Sequence, residues 1–600
     1  VKDEAAARKR SANKRARETL LTMDTTSDSA VRLPTRADAA VFGCKVALLR
    51  LRRWIADAFK RDLKRWSSGA PLPHVWSEAI SVLDTVGADE HRALVLGKIQ
   101  NLRVALRSID GVHVPAGQLL SFWKQVGQAR RGRGYVEGRE LREGCIIPAV
   151  GGGLCQLSNA LYQAALDAGL DIVERHAHSR VIPGSAAQSG RDATVFWNYV
   201  DLRFRSAEAF GISARIEDGQ LRVRILKHSP RAVPAKSAVS IASIAFAPKM
   251  PVPRSCHSCG ETACFRQAAA RPATAAHRTV FMVDALWPEF DAWIATRKGP
   301  RDTLMLPLDG RRHGRPQYAW HTEGFGKVAT FPMLALWRSL VSRRLSNQGA
   351  ARQMSALAFR KRLAHRYVES LTYLDEHVVV SQDLLPYVWE TGALQGRSFD
   401  VLMTGPTISA LHTVLDDAHA RHPESTTLGD FRAPSALAAS EMQALQKAGQ
   451  ILTPHSEVAA AFAQTVRLYW ARPVPARTSP GQHVVFPAPT LGRKGAYDLR
   501  ACVRELGLPL TLMGPVLESS DFWEGVEVRM GTMADAAVLV LPAWVQVRPT
   551  LLLTALDAGI PVIATPACGL LPQPNLTIVP AGNVAALMDA LRPYASRSVS

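Results

Sequence analysis

Gly151-Gly152-Gly153-Leu154-Cys155-Gln156-Leu157-Ser158-Asn159 is the stretch from which the rest of the chain is read. Three consecutive glycines let the backbone take turns that a side chain would forbid. A helical pattern begins at once, with Leu157, Leu161, Ala164, Ala165 and Ala168 on one face and Gly169 where a left-handed C-terminal cap belongs. Cys155 is therefore expected in a first helical turn, where unpaired amides and the helix dipole favour a thiolate. His176-Ala177-His178 and then Arg191-Asp192 follow. A thiol at a helix start followed by His and Asp is the order used by several thiol hydrolases and acyl-transferring enzymes. In that reading Cys155 is the nucleophile, His178 the base and Asp192 its orienter, with Gln156 or backbone amides stabilising an oxyanion. His176 is a rival base and Asp201 a rival orienter. The other reading is a buried structural cysteine beside a satisfied histidine. Chain order alone does not decide whether these groups converge.

Working outward, GGGLCQLSNALYQAALDAGLDIVERHAHSRV (151–181) is followed by GRDATVFWNYVDLRF (190–204) and preceded by SFWKQVG (121–127) and RGRGY (131–135). Together these stretches resemble the signature of the VanW family, named from a vancomycin-resistance cluster, over about residues 95–228. The resemblance implies an envelope or antibiotic-resistance connection, and a cell-wall peptide would fit it as the substrate of a thiol site. Residues 39–228 read as one α+β domain. Asp110-Gly111 is a turn signal, and Gly134 and Gly138 punctuate the next loop. Thr194 to Phe204 is rich in β-formers. Ile212, Ala214 and Ile216 pair by pattern with Leu221, Val223 and Ile225 across Glu217-Asp218-Gly219. An antiparallel sheet beside one prominent helix is expected.

Six hundred residues imply several domains, and the net charge is +21. Residues 1–66 hold 17 Lys/Arg against 8 Asp/Glu, a contribution of +9. Residues 1–38 have the composition of a poorly ordered basic tail. From Val41 to Trp66 the pattern is helical and amphipathic, with Leu48, Leu51, Trp54, Ile55, Phe59, Leu63 and Trp66 among basic residues. Two readings stand: a helix lying on anionic lipid, or the first core helix of the domain with a solvated basic face. A basic surface attracts anionic lipid, nucleic acid or phosphorylated substrates. No aromatic-and-glycine nucleic-acid motif supports the nucleic-acid option. No apolar run is long enough to span a bilayer, and the hydrophobic core of a secretory signal is missing. A cytoplasmic protein, peripheral at most to the inner face of the membrane, is the expectation.

The eight cysteines are unevenly placed, which argues against a secreted disulfide framework. Within a linker at 229–277, Cys256, Cys259 and Cys264 form a C-x2-C-x4-C run. Such spacing suits zinc or an iron–sulfur cluster, with His257, His277 or a water completing the shell, or the thiols are free.

From residue 278 onward short apolar strands alternate with helical patterns, the mark of stacked βαβ units. Residues 279–283, 303–306, 376–381 and 450–453 are candidate strands of a lobe at 278–472, with a long helix at about 333–366. Pro473-Val474-Pro475 reads as a hinge to a second lobe at 473–600. There Val484-Val485-Phe486 is a strand and Gly492-Arg493-Lys494-Gly495 a basic loop before a helix. Residues 510–514, 537–542 and 560–565 are buried-type strands. Pro549 opens a helix that Gly559 closes.

GRKGAYDL, LVLPAW, RPTLLLTALDAGIPVIATPACGL and VPAGNVAALMDAL resemble the C-terminal lobe of retaining, nucleotide-sugar-dependent glycosyltransferases of the GT-B fold, over about 482–592. The resemblance implies two Rossmann-type lobes, a nucleotide-sugar donor, an envelope-related acceptor and chemistry that needs no metal. It places Arg493, Lys494 and Gly495 at the donor diphosphate, where cations and a helix N-terminus receive charge. It places Gln546 and Thr554 near the nucleotide, at two positions where that family carries glutamates. A neutral pair makes weaker contacts to a ribose. His321, Glu323, Gly324 and Gly326 form either a loop facing the cleft or an ordinary glycine turn. The functional expectation is sugar transfer in cell-envelope or surface-polysaccharide metabolism. The alternatives are thiol chemistry at Cys155 and a non-catalytic scaffold with a degenerate transferase lobe.

Overall fold

The computed structural model describes residues 36–58, 60, 62–83, 92–142, 145–178, 189–229, 277–345, 349–472 and 481–595. The cysteine run at 256–264 and the hinge at 473–475 lie outside the described residues. The chain divides into two compact units, residues 1–275 and 276–600.

The first unit opens with helix α1 (Arg36–Ala58), strand β1 (His74–Val82), helix α2 (Arg92–Leu106) and strands β2 (Val112–Val114) and β3 (Leu119–Ser121). A hairpin of β4 (Glu137–Arg142) and β5 (Cys145–Val150) leads into helix α3 (Leu154–Asp167). Strands β6 (Asp171–Glu174), β7 (Arg203–Arg205), β8 (Phe210–Glu217) and β9 (Gln220–Lys227) follow. They form an antiparallel sheet of order β1-β9-β8-β2 and a smaller sheet of order β3-β7-β6. The β8–β9 register pairs Ile212 with Ile225, Ala214 with Val223 and Ile216 with Leu221, as the alternation predicts. Asp218 and Gly219, with φ of 51° and 71°, make the two-residue turn that suits the strand twist.

Alternation then decides what each face meets. Leu221, Val223 and Ile225 are fully buried, and α3 packs across β1 and β9 with Leu157, Leu161, Ala164 and Ala165 fully buried. Each such leucine contributes about 1.5–3 kcal/mol. On the other face Arg222 and Arg224 both bond Glu78 of β1, at 2.9 and 2.7 Å.

Three expectations for this unit change. Helix α1 ends at Ala58, short of Trp66. Gly138 lies within β4, where a Cβ would meet the Gly152 carbonyl at 2.6 Å, so it marks a close approach and no loop. Of residues 194–204 only Arg203 and Phe204 are in a strand. The earlier ones turn, with the Phe196 amide on the Val200 carbonyl, and hold the loop above α3.

The second unit holds two parallel sheets. Strands β10 (Thr279–Met282), β11 (Thr303–Leu306), β12 (Lys327–Thr330), β13 (His377–Ser381), β14 (Ser398–Leu402), β15 (Ile451–Thr453) and β16 (Thr465–Arg467) lie in the order β12-β11-β10-β13-β14-β15-β16. The second sheet has the order β19-β18-β17-β20-β21-β22. Its strands are β17 (His483–Phe486), β18 (Leu510–Leu512), β19 (Val528–Met530), β20 (Ala536–Leu541), β21 (Val562–Ala564) and β22 (Leu576–Ile578). Helical crossovers make this the expected pair of Rossmann-type lobes. The single helix expected at 333–366 is two, Pro332–Arg344 and Gly349–Ser370. Gly349 at the start of the second is a poor residue for a helix interior. Pro549 caps the helix Thr550–Asp557 from just outside it.

In each sheet the strand order reverses at the first strand. β10 sits between β11 and β13, and β17 between β18 and β20. The loops leaving those strands open on the crevices where sheets of this kind take ligands.

Candidate functional site

The Gly-Gly-Gly turn is held by α2. Asn101 Nδ2 donates to the carbonyls of Gly152 and Val136 at 2.9 and 3.0 Å, and Asn101 Oδ1 accepts the Val136 amide at 2.9 Å. A Cβ on Gly152 would lie 2.4 Å from the Gly138 carbonyl, and Gly153 adopts φ of 100°. The chain then enters α3 with half-buried Cys155 in its first turn.

The rest of the motif anchors the loop that carries Asp192. Ser158 Oγ donates to the Ala193 carbonyl at 2.5 Å, and Asn159 Oδ1 accepts the Ala193 amide at 2.7 Å. Arg191 bonds both oxygens of Asp167 at 2.6 and 3.1 Å. Asp192 is thereby fixed above the helix, 2% exposed. Its Oδ2 accepts the His178 amide at 2.6 Å and lies 2.7 Å from His178 Nδ1, while Oδ1 accepts Arg175 Nη2 at 2.7 Å.

With Nδ1 taken by Asp192, Nε2 is the ring nitrogen left for the thiol. The Cys155 side chain beside the ring is the first cause holding the His178 imidazole above its ordinary range, with Asp192 adding to it against the opposing pull of burial. Burial pushes the Asp192 carboxyl up, but the His178 amide, the His178 ring and Arg175 outweigh it and leave the carboxyl below its usual range. Cys155 Sγ also lies 3.7 Å from Thr194 Oγ1 and 3.9 Å from the Val195 carbonyl.

The rivals are occupied elsewhere. The His176 ring is exposed, 3.3 Å from Glu174. Asp201 is buried and accepts from Ser121 Oγ, the Trp123 amide and Arg203 Nε at 2.6, 3.1 and 2.8 Å. Gln156 Nε2 donates to Ser81 Oγ and the Val82 carbonyl, both at 2.8 Å. That engagement removes the Gln156 side chain from the oxyanion role, and the Leu154 and Gln156 amides donate to the Gly151 and Gly153 carbonyls at 3.4 and 3.0 Å, which leaves the Cys155 amide.

The second unit brings together part of the expected donor set. Arg493 and Lys494 form a short helical turn before the helix Ala496–Leu506. Gly495 between them and that helix has φ of 76°, and a Cβ there would lie 2.0 Å from the Pro542 carbonyl. Lys494 Nζ donates to the Val545 carbonyl at 2.9 Å and to Gln546 Oε1, so the loops after β17 and β20 meet across the reversal point. Burial, helped by the Arg493 charge, pushes the Lys494 ammonium down to about 8. The Arg493 side chain is exposed. Thr554 is not part of this meeting: its hydroxyl donates to the Thr550 carbonyl of its own helix at 2.9 Å. His321 Nδ1 bonds Asp291 Oδ2, which turns the 321–326 loop toward the helix Pro288–Ala295.

Sequence reading missed Asp284, two residues past the end of β10 and close to Ser381, the last residue of β13, and to Asp383 just after it. Burial, then the Asp383 charge, pushes its carboxyl up to about 6. Its only sequence signal is an acid directly after the buried run 279–283. Among the described residues no cluster of three or more His, Cys, Asp or Glu side chains is arranged to hold a metal.

Residues 97–226 match the family model described as VanW like protein. Over 106 residues the chain is 38% identical to the uncharacterized protein YoaR of Bacillus subtilis (strain 168), covering 18% of this chain and 34% of that protein. Over 114 residues it is 32% identical to the vancomycin B-type resistance protein VanW of Enterococcus faecalis (strain ATCC 700802 / V583), covering 18% and 41%. The chain thus spans well under half the length of these curated relatives. Similar solved structures include the lipopolysaccharide outer core galactosyltransferase WaaB in its apo form, at 15% identity and a TM-score of 0.30, covering 54% of this chain and 91% of that one. The Anabaena protein HepE in complex with UDP and glucose is similar at 14% identity and a TM-score of 0.32, covering 54% and 94%.

Proposed function

From a chain that joins a VanW-like domain to two parallel α/β lobes, we infer that the first unit performs thiol-dependent acyl transfer or hydrolysis at Cys155. The convergence of Cys155, His178 and Asp192 on the first turn of α3 carries this reading. His178 Nε2 takes the thiol proton, and the thiolate attacks a carbonyl carbon. The Cys155 amide at the helix start receives the developing oxyanion. The tetrahedral intermediate collapses to a thioester as His178 returns the proton to the leaving amine. Water or a second amine then takes the acyl group and restores the thiol. Asp192 keeps the imidazole in one tautomer and one orientation. The vancomycin-resistance name of the Enterococcus relative is the reason to test envelope peptides as the acyl donor.

The test is intact-mass spectrometry of the full chain incubated with cell-wall peptide fragments. A covalent adduct on Cys155, missing from Cys155→Ser, is expected. Failure to form any adduct, with alkylation of Cys155 no faster than that of a free thiol and unchanged by His178→Ala, overturns the reading.

A second reading, sugar transfer from a nucleotide donor in the second unit, is favoured by one observation. Lys494 is half-buried at a strand-order reversal, has no carboxylate partner among its hydrogen bonds and stands beside exposed Arg493. A diphosphate would supply the missing negative charge. Gln546, already bonded to Lys494, offers only neutral contacts to the rest of the donor. A thermal-shift comparison of the full chain with UDP-, GDP-, ADP- and dTDP-sugars tests it. A ligand at a hundred times its dissociation constant stabilises by about 2.7 kcal/mol. A shift with one nucleotide, lost in Arg493→Ala/Lys494→Ala, is expected. No shift with any of the four removes the donor-site reading and leaves this unit as a scaffold.

A further inference from the structure

Helix α1 is amphipathic in the opposite sense to an ordinary core helix. Its charged face points inward. Arg53 Nη2 pairs with Glu174 at 2.5 Å, and Asp57 bonds Arg203. Arg203 is itself held by Asp201 at 2.8 Å, and Arg50 Nε donates to the Trp197 carbonyl at 2.8 Å. This network orients the helix on the first unit through buried and half-buried charges.

Its apolar face points out. Leu48 is 67% exposed, Trp54 65%, Val41 55%, Leu51 53% and Ile55 49%. At about 3.6 residues per turn, Val41, Leu48 and Ile55 lie in one row with Leu51 and Trp54 in the next. A contiguous apolar stripe of this kind marks a surface that something covers. Lys45 and Arg52 stand exposed beside the stripe. Between residues 39 and 56 the sequence holds four cations and no Asp or Glu. The whole of residues 1–66 is net +9.

We propose that α1 is the membrane-docking element of the first unit, seating its apolar stripe in the interface of an anionic lipid surface with Lys45 and Arg52 at the headgroups. Charge chooses this occupant. Anionic headgroups complement Lys45 and Arg52, whereas a second copy would bring two sets of cations together. No described helix is long and apolar enough to cross a membrane, so the element lies on the surface. The inward ion pairs explain why the stripe stays exposed: rotating the helix to bury it would break the Arg53–Glu174 and Asp57–Arg203 pairs.

Vesicle flotation of the full chain tests the proposal, using phosphatidylglycerol–phosphatidylcholine vesicles beside phosphatidylcholine alone. Binding to the anionic vesicles only, weakening as salt rises, is expected. Leu48→Ser/Leu51→Ser/Trp54→Ser lowers partitioning about tenfold or more. Lys45→Gln/Arg52→Gln lowers it less and flattens the salt dependence. The melting temperature of the triple variant should match the parent, since these side chains are exposed. Three results overturn the proposal: no flotation of the parent with anionic vesicles, equal flotation of the folded triple variant, or a dimer in light scattering that the triple variant dissolves.

Discussion

His178 is bound twice by one oxygen of Asp192: Oδ2 accepts its backbone amide at 2.6 Å and lies 2.7 Å from its ring Nδ1. The carboxylate therefore fixes both the position of the residue and the rotation of its ring. The other oxygen is fixed by Arg175 at 2.7 Å. Asp192→Asn replaces one acceptor oxygen with a donor group, so one of these bonds is lost. Alkylation of Cys155 by iodoacetamide at neutral pH should slow about tenfold or more, and further in His178→Ala. Equal rates in all three proteins would mean that His178 does not act on the thiol.

Cys155 is the first cause of the raised His178 pKa, so Cys155→Ala should lower that pKa toward its ordinary value. The sign for stability follows. A histidine with a raised folded pKa contributes stability that is fully present below the unfolded value, near 6.5, and is lost as pH rises through the folded value. The stability lost in Cys155→Ala should therefore shrink as pH climbs through that window. An NMR titration of the His178 ring and parallel urea melts measure the two quantities.

Gly152→Ala tests the turn itself. The new Cβ would fall 2.4 Å from a backbone carbonyl that has no flexible end to swing away. We expect a loss of about 1–3 kcal/mol in a urea melt, with slower Cys155 alkylation because the start of α3 is displaced.

In the proposed donor site, Lys494 would link charge to nucleotide binding. Its ammonium is pushed down to about 8, so nucleotide affinity should fall as pH rises from 7 to 9, measured by calorimetry. Lys494→Met should abolish nucleotide binding while raising the melting temperature, because a half-buried, desolvated cation is replaced by an apolar chain of similar length. Unchanged affinity would place the diphosphate elsewhere.

Asp284 predicts a pH slope of the opposite kind to a salt-bridged acid. With its carboxyl raised to about 6, the folded state keeps a proton that the unfolded chain has released. Stability should fall as pH rises from about 4 to 6, and Asp284→Asn should remove that part of the slope. Urea melts across this range decide it.

Periodicity and glycine placement determined much of this protein in advance. The helix after Gly153, the β8–β9 register and the strands at 279–282, 303–306, 483–486 and 510–512 were legible because burial repeats at fixed intervals along the chain. The order Cys, His, Asp was legible too, but not its convergence. That depends on Ser158 and Asn159 pinning Ala193 and on Arg175 holding Asp192, contacts between residues far apart in sequence. Three roles were decided only by tertiary structure. Gln156 and Asp201 have chemistry suited to the site, yet their hydrogen bonds go to other partners. Asp284 gained its raised pKa only when two strands distant in sequence became neighbours. The direction faced by α1 belongs with them: its amphipathic pattern was visible, but which side met the protein depended on Glu174 and Arg203 waiting beneath it. A pattern within one segment sets what a helix can bury; the charges across from it set which face it does bury.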